Sequence, residues 1–322
     1  MTISQKNSRP MWTILRRSKI AYPQPPTHIR LGRTQLLSPW SLVPGILVLV
    51  GLGLLFTWLG TEVSGKGQPQ ERQVPVPEGM VLIPGGDFLM GSTGQEGKVG
   101  FQIGVDEMPQ HKVHLKPYYV DRYEVTNAQY QHFIEATGRP APSDPHDSLF
   151  YSWIKDKPPA GQENHPVVYV SWHDADAYCR WDSKRLPTEE EWEKAARGTD
   201  GRAWPWGDTF DGKKCNVYES SPLWTAPVGS YPEGGSPYGV HDMCGNVAEW
   251  TASWYEPYPD NQLKRASFGQ HFKIARGGAW VLPYEPWSRT TNRNLAQPLE
   301  YRHRSLGFRC AKDVGSVVSS EH

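Results

Sequence analysis

The feature that most constrains this chain is an uncharged run from Gln35 to Thr61 whose middle, Val43 to Leu59, is almost wholly apolar. A stretch of that kind matches the roughly 20 residues an α-helix needs to cross a bilayer. The sequence therefore predicts a membrane-spanning helix over residues 39–60, which divides the chain into a short and a long part. Residues 1–38 carry Lys6, Arg9, Arg16, Arg17, Lys19, Arg30 and Arg33 without a single acid, whereas the charge after Gly60 is mixed. The positive-inside bias then leaves residues 1–38 as a basic cytoplasmic tail. Everything after the span is expected in the periplasm or outside the cell, tethered to the cell (inner) membrane by one pass. A cleaved signal peptide is the competing reading, but the segment before the apolar run is longer than a normal n-region and no small-residue cleavage pattern follows Thr57.

Residues 61–77 are rich in Gly, Gln, Pro and charge and too poor in apolar side chains to pack, so they read as a flexible stalk. The remaining length could form one large domain. With 31 Gly and 29 Pro set against 14 Trp and 15 Tyr, that domain is expected to be turn-rich and pinned by aromatic side chains, a loop-rich α+β fold with little regular secondary structure. Formal charge sums to zero and the only Arg-dense stretch is the short one holding Arg302, Arg304 and Arg309, so nucleic acid is excluded as a partner.

The four cysteines are Cys179, Cys215, Cys244 and Cys310. An even number in an exported domain makes disulfides the default. Zinc is the alternative, yet no two cysteines stand at Cys-x-x-Cys spacing, and His111 and His114 fall in an apparent strand where positions i and i+3 face opposite ways.

The domain opens near Met80 with Met80-Val-Leu-Ile-Pro-Gly-Gly-Asp-Phe-Leu-Met-Gly, two short apolar strands around a Pro-Gly-Gly turn. A further strand is expected over Lys112 to Val120. Three helices are announced by capping boxes, in which a Ser or Thr hydroxyl and a residue three positions later satisfy exposed backbone donors. Thr126 with Gln129 begins the first, which ends at Gly138. Ser171 with Asp174 begins the second, carrying Tyr178 and Cys179, and Thr188 with Glu191 the third, carrying Trp192 and Ala195. Glu189, Glu190 and Glu191 thus read as first-turn acids on a helix dipole in preference to a catalytic cluster. Past Arg197 turns and short extended pieces are expected, and residues 314–322 form a small, polar tail read as disordered.

Across Met80 to Asp313, nine pieces resemble the formylglycine-generating (sulfatase-modifying) enzyme family in order and spacing. They are Ile83-Pro84-Gly85-Gly86 with Met90-Gly91; Glu107-x-Pro109-x-His111-x-Val113; Tyr123-Glu124-Val125-Thr126-Asn127; His165-Pro166-Val167 with Val170-Ser171-Trp172; Lys184-Arg185-Leu186-Pro187-Thr188-Glu189 with Glu191-Trp192-Glu193; Trp206-Gly207; Gly245-Asn246-Val247 with Glu249-Trp250; Arg276-Gly277-Gly278; and Leu306-Gly307-Phe308-Arg309-Cys310. The resemblance implies a formylglycine-generating-enzyme (C-type-lectin-like) fold over residues 78–313.

It implies less about activity. Enzymes of that family are similar in using two cysteines shortly after the Gly-Gly pair to bind copper(I), a soft ion suited to thiolates. Counted from Gly277-Gly278, those positions fall at Leu282 and Trp287, and no cysteine lies between Cys244 and Cys310. No copper is expected. The serine after Gly-Gly is Ala279, and the tryptophan before Glu249 is Ala248. What the resemblance carries over is structural: a Cys179–Cys310 disulfide, with Cys215 and Cys244 left as a second pair, and calcium. One calcium set matches Asp242, Gly245, Val247 and Glu249, two carboxylates plus carbonyls of the kind a hard cation needs. The other keeps Asn216 and Val217, with Glu219 a candidate acid. For Glu249 a buried salt bridge is the bland alternative.

In place of the copper site stands a patch of Trp280, Tyr284 and Trp287 with Arg289 and Arg293, suited to a ligand with flat or apolar parts and a negative group. The same aromatics could simply pack the emptied site. Two functions of different class follow. One is a membrane-tethered, calcium-stabilised binding or scaffolding module for an exported protein or a small ligand. The other is an oxidative enzyme of the wider family, like the relatives acting in pyoverdine maturation or thiol-histidine synthesis, although the iron-binding domain of the latter has no counterpart in residues 1–76.

Overall fold

The computed structural model describes residues 75–94, 104–143, 153–293 and 295–315, all within one compact unit. The expected cytoplasmic tail, membrane span, most of the stalk and nearly all of the C-terminal tail lie outside the described residues. Among those described, no helix is long and apolar enough to cross a membrane.

The capping boxes set the helices. In α1 (Asn127–Thr137), α2 (Trp172–Trp181) and α3 (Glu189–Arg197) the hydroxyls of Thr126, Ser171 and Thr188 accept from the backbone N–H three residues on, and the side chains of Gln129, Asp174 and Glu191 reach back to the cap amide. Each cap contributes about 1 kcal/mol. A fourth, one-turn helix, α4, spans Tyr284–Trp287.

Among the described residues nine short strands make three small sheets. β1 (Met80–Ile83), β4 (Tyr118–Asp121) and β9 (Ala311–Asp313) form the first, with β4 central and both pairings antiparallel. β2 (Gly86–Met90) pairs antiparallel with β3 (His111–Leu115). The third sheet runs β7 (Leu295–Gln297), β6 (Lys273–Arg276), β5 (Ala248–Trp254), β8 (Leu306–Gly307), and its β5–β8 contact is parallel. The single strand expected over Lys112–Val120 is two, because Pro117 has no N–H to give a ladder and turns the chain from the β2 sheet to the β1 sheet. The strands on either side of Pro84-Gly85-Gly86 likewise join different sheets.

The main core gathers the inward faces of α1 and α2, the β5 residue Trp250, and Phe308. Tyr130 stacks on Tyr178 at 5.7 Å between centroids, and Phe308 meets both edge-on at 6.3 and 5.3 Å. Pairs in such geometry add about 0.5–1.5 kcal/mol each beyond their area. Cys179 and Cys310 are joined here, closing a separation of 131 residues. In the chain-entropy account such a link is worth about 4–5 kcal/mol. A second cluster packs Trp192 and Ala195 of α3 on Ile83, Tyr118 and Val120.

Candidate functional site

The loop that follows Gly277-Gly278 folds back under the sheet. Gly278 has φ +71°, and a Cβ there would meet the Ser288 Cα at 2.9 Å, so the close return of the loop requires glycine. Within it Ala279 and Leu282 are buried in the main core, together with Ala248 of β5, and Trp287 packs against the same cluster. The aromatic patch expected in this place divides. Tyr284 stacks on Phe210 at 3.8 Å, and its amide donates to the Glu219 carboxylate at 3.0 Å. Trp280 lies 5.3 Å from Trp224, with the Arg304 guanidinium 5.5 Å above its ring.

Arg289 and Arg293 do not join that patch, which corrects the expected ligand set. Arg289 donates to Glu107 at 3.2 Å, and Arg293 grips Glu189 through Nε at 2.7 Å and Nη2 at 2.9 Å. Both belong to a buried ionic layer in which Arg276 also reaches Glu189 and Glu193, and Arg197 holds Glu193 at 2.9 Å. With Asp106 beside them, four buried carboxylates face four buried guanidiniums. A guanidinium taken out of water persists only with such a partner, which explains why these arginines point inward.

Cys215 and Cys244 are two buried thiols and not the second disulfide the sequence suggested. Burial and the adjacent Cys215 thiol push the Cys244 thiol well up. That shift disfavours the Cys244 thiolate, whereas thiol–disulfide exchange needs a thiolate.

The loop from Asp242 to Glu249 is built on left-handed backbone, with φ +59° at Asp242, +93° at Gly245 and +59° at Asn246. A Cβ on Gly245 would fall 2.3 Å from the Asn216 carbonyl, so this loop and the Asn216-Val217 loop touch. Asn246 ties them together: its amide N–H donates to the Asn216 carbonyl at 2.7 Å, and its Oδ1 accepts from Asn216 Nδ2 at 3.1 Å. Asn246 Nδ2 in turn donates to Glu124 Oε1 at 3.1 Å. Asp242 Oδ2 accepts from the Gly229 amide at 2.7 Å. Glu249 is held by Arg309, whose Nε and Nη2 each donate to it at 2.7 Å, and by the Trp192 indole at 2.8 Å.

Burial pushes the carboxyls of Glu124, well above the ordinary range, and of Asp242 upward, in each case against the pull of Arg309. Glu124 Oε2 and Asn216 Oδ1 are buried oxygens without a hydrogen-bond partner. The side-chain donors gathered here are oxygens, the kind calcium takes. The fit is not complete. Glu249 is a salt-bridge partner first, Glu219 is spent on the Tyr284 amide, and among the described residues no three His, Cys, Asp or Glu side chains converge as a metal cage. Gly245, Val217 and Val247 sit in the same buried loops. The sequence reading missed Glu124, Asn246, Trp224 and Arg304. The first two stand inside quoted motifs, but only burial reveals what they do.

A loop-rich domain with small sheets and these two knotted loops is matched over residues 65–314 by the sulfatase-modifying factor enzyme 1-like domain, and the chain belongs to that family. Its relatives include the formylglycine-generating enzyme of Streptomyces coelicolor, 34% identical over 75% of this chain and 91% of that protein. They also include the inactive C-alpha-formylglycine-generating enzyme 2 of Mus musculus, 32% identical over 73% of this chain and 86% of the other. Among solved structures, PvdO from Pseudomonas aeruginosa matches with TM-score 0.60 and 31% identity, over 73% of this chain and 94% of that one. Similarity of this degree reaches an enzyme and an inactive relative alike, so activity has to be argued from the site.

Proposed function

We propose that this chain is a membrane-anchored, extracytoplasmic member of the family that serves as a calcium-stabilised binding or scaffolding module and does not oxidise cysteine with copper. The observation that carries the reading is the fate of the Gly277–Ser288 loop. Leu282 and Trp287, at the positions counted for the copper thiolates, pack in or against the core, and the two free thiols nearby are buried, that of Cys244 pushed up by its burial. A binding role rests on the partly exposed Trp224 and Arg304, packed about the buried Trp280, which would offer an aromatic surface and a positive charge to an exported protein or a small ligand. Asp242 and the loop carbonyls would hold the calcium, which would supply charge compensation and rigidity to the two loops.

Incubation of the purified protein with copper(I), O2 and a cysteine peptide of the sulfatase type, followed by mass spectrometry, tests the central claim. No aldehyde is expected. Aldehyde formed by the wild type and lost in Cys244→Ser would establish the competing reading, an oxidative enzyme of the wider family. The anchor is tested separately by fusions after Asp313. Alkaline phosphatase is expected to be active there, and an inactive phosphatase beside a fluorescent cytoplasmic reporter would reverse the topology.

A further inference from the structure

We infer that the pocket between the β2–β3 sheet and the start of α3 binds an organic cation, a primary ammonium head on an apolar stem. The site is separate from the Trp280 surface and from the Asp242 and Asn216 loops, and it depends on neither. The pocket holds about 510 Å³. Met90 of β2 and Val113 of β3 give it an apolar side, the first turn of α3 adds Glu190, and the end of β5 with the chain beyond it adds Trp254, Glu256 and Tyr258.

The charge of the wall decides the sign of the ligand. Arg293 is committed to Glu189 and to the carbonyls of Asp106 and Glu256, and Lys112 stands 3.5 Å from Asp87. Glu190, half-buried, and Glu256, exposed, have no ion-pair partner among the described residues. His111 Nδ1 lies 3.0 Å from the Pro109 carbonyl, and in the neutral ring that contact puts the proton on Nδ1 and leaves Nε2 an acceptor. The pocket thus offers a ligand acceptors and uncompensated negative charge. Carboxylates alone would be a solvated rim, but here they stand over aromatic rings. Tyr258 is 6% exposed, and its hydroxyl has no hydrogen-bond partner, an unsatisfied group of the kind that bound atoms complete. Each ring already carries a cation on one face, the Arg293 guanidinium 4.0 Å from the Tyr258 centroid and the Lys273 ammonium 3.7 Å from that of Trp254. The rings therefore give a ligand apolar contact in place of a second cation–π bond, and with Met90 and Val113 they suit an alkyl stem. The ammonium at its end would donate to Glu190 and Glu256 in charge-assisted hydrogen bonds, about twice as strong as neutral ones.

The test is calorimetric titration of two probes into the purified full-length protein. One is cadaverine, a free diamine; the other is N-acetyl-lysine methylamide, which carries the same ammonium on a peptide unit. At least one is expected to bind, and the tighter of the two shows whether the natural source is a free amine or a protein side chain. Glu190→Gln combined with Glu256→Gln should weaken that binding about tenfold or more while a melting curve shows the fold retained, since both side chains reach solvent. If the double variant does not fold, each single variant should lose part of the affinity. Glutarate, similar in length to cadaverine and opposite in charge, should not bind. Failure of both probes to bind overturns the inference, and so does binding that the folded variants leave unchanged or glutarate that binds as tightly as cadaverine.

Discussion

Two groups of buried charge lie in this domain, and they are built on opposite principles. The layer of Glu107, Glu189 and Glu193 with Arg197, Arg276, Arg289 and Arg293 pairs every acid with a base. The group of Glu124, Asp242 and Glu249 shares one guanidinium among the described residues, that of Arg309. Desolvation penalises both, but only the first repays the penalty from within the chain. The lesson is that a buried ion pair marks architecture, whereas a buried surplus of one sign marks a place where something else must bind or a proton must stay. That distinction sets Arg289 and Arg293 among the residues that hold the fold.

The comparison would break if the balanced layer proved dispensable. Arg276→Met leaves Glu189 with Arg293 and Glu193 with Arg197 but removes one guanidinium from each, and removal of one partner from a buried pair costs about 3–5 kcal/mol. Denaturant unfolding is expected to show that loss equally in calcium and in chelator. A loss confined to one of the two conditions would mean that the ionic layer and the acidic group are one system.

Lys273 sharpens the contrast at smaller scale, since it is a buried cation with no carboxylate at hydrogen-bond distance among the described residues. Its ammonium sits 3.7 Å from the Trp254 ring centroid and 4.5 Å from that of Trp172, and donates to the Ala252 carbonyl. Burial pulls it down to about 8 from an ordinary value of 10.5. The folded state therefore releases its proton before the unfolded state does, and stability contributed by this group rises as pH climbs from about 8 to about 10.5. After allowance for partial hydration and for the aromatic contacts, Lys273→Met is expected to be more stable than wild type by about 1 kcal/mol at pH 7. That advantage should close by pH 10.5 in parallel melts. A gap that widens with pH would show that the aromatic cage favours the charged form.

The sequence made the helix starts legible because a cap is a local device: Thr126, Ser171 and Thr188 find their partners three residues away. The family fold was legible for the same reason, as its motifs are contiguous. Sheet membership was not. Nothing near Pro84-Gly85-Gly86 states that β1 pairs with Tyr118–Asp121 while β2 pairs with His111–Leu115. The candidate site failed at residues whose partners are remote. Arg289 looked available because Glu107 is 182 positions away, and Arg293 because Glu189 is 104 away. Glu124 stood in plain view in Tyr123-Glu124-Val125, but its burial and its unpartnered Oε2 are features that no spacing encodes.

The place of β9 in its sheet governs how this chain can come to its fold. Tyr118 is paired with Asp313, and Arg309 holds the backbone of Asp121 and Arg122. The strand that completes the first sheet, the residue that neutralises Glu249 and the cysteine that closes the disulfide all come from the C-terminal end of the domain. Until they arrive, one edge of β4 has no neighbour and the acids of Glu124, Asp242 and Glu249 have no counterion. Such distant pairings make folding slow and leave the nascent domain open to misassociation through that bare edge. The early residues of the domain therefore reach their final partners only when its late ones dock.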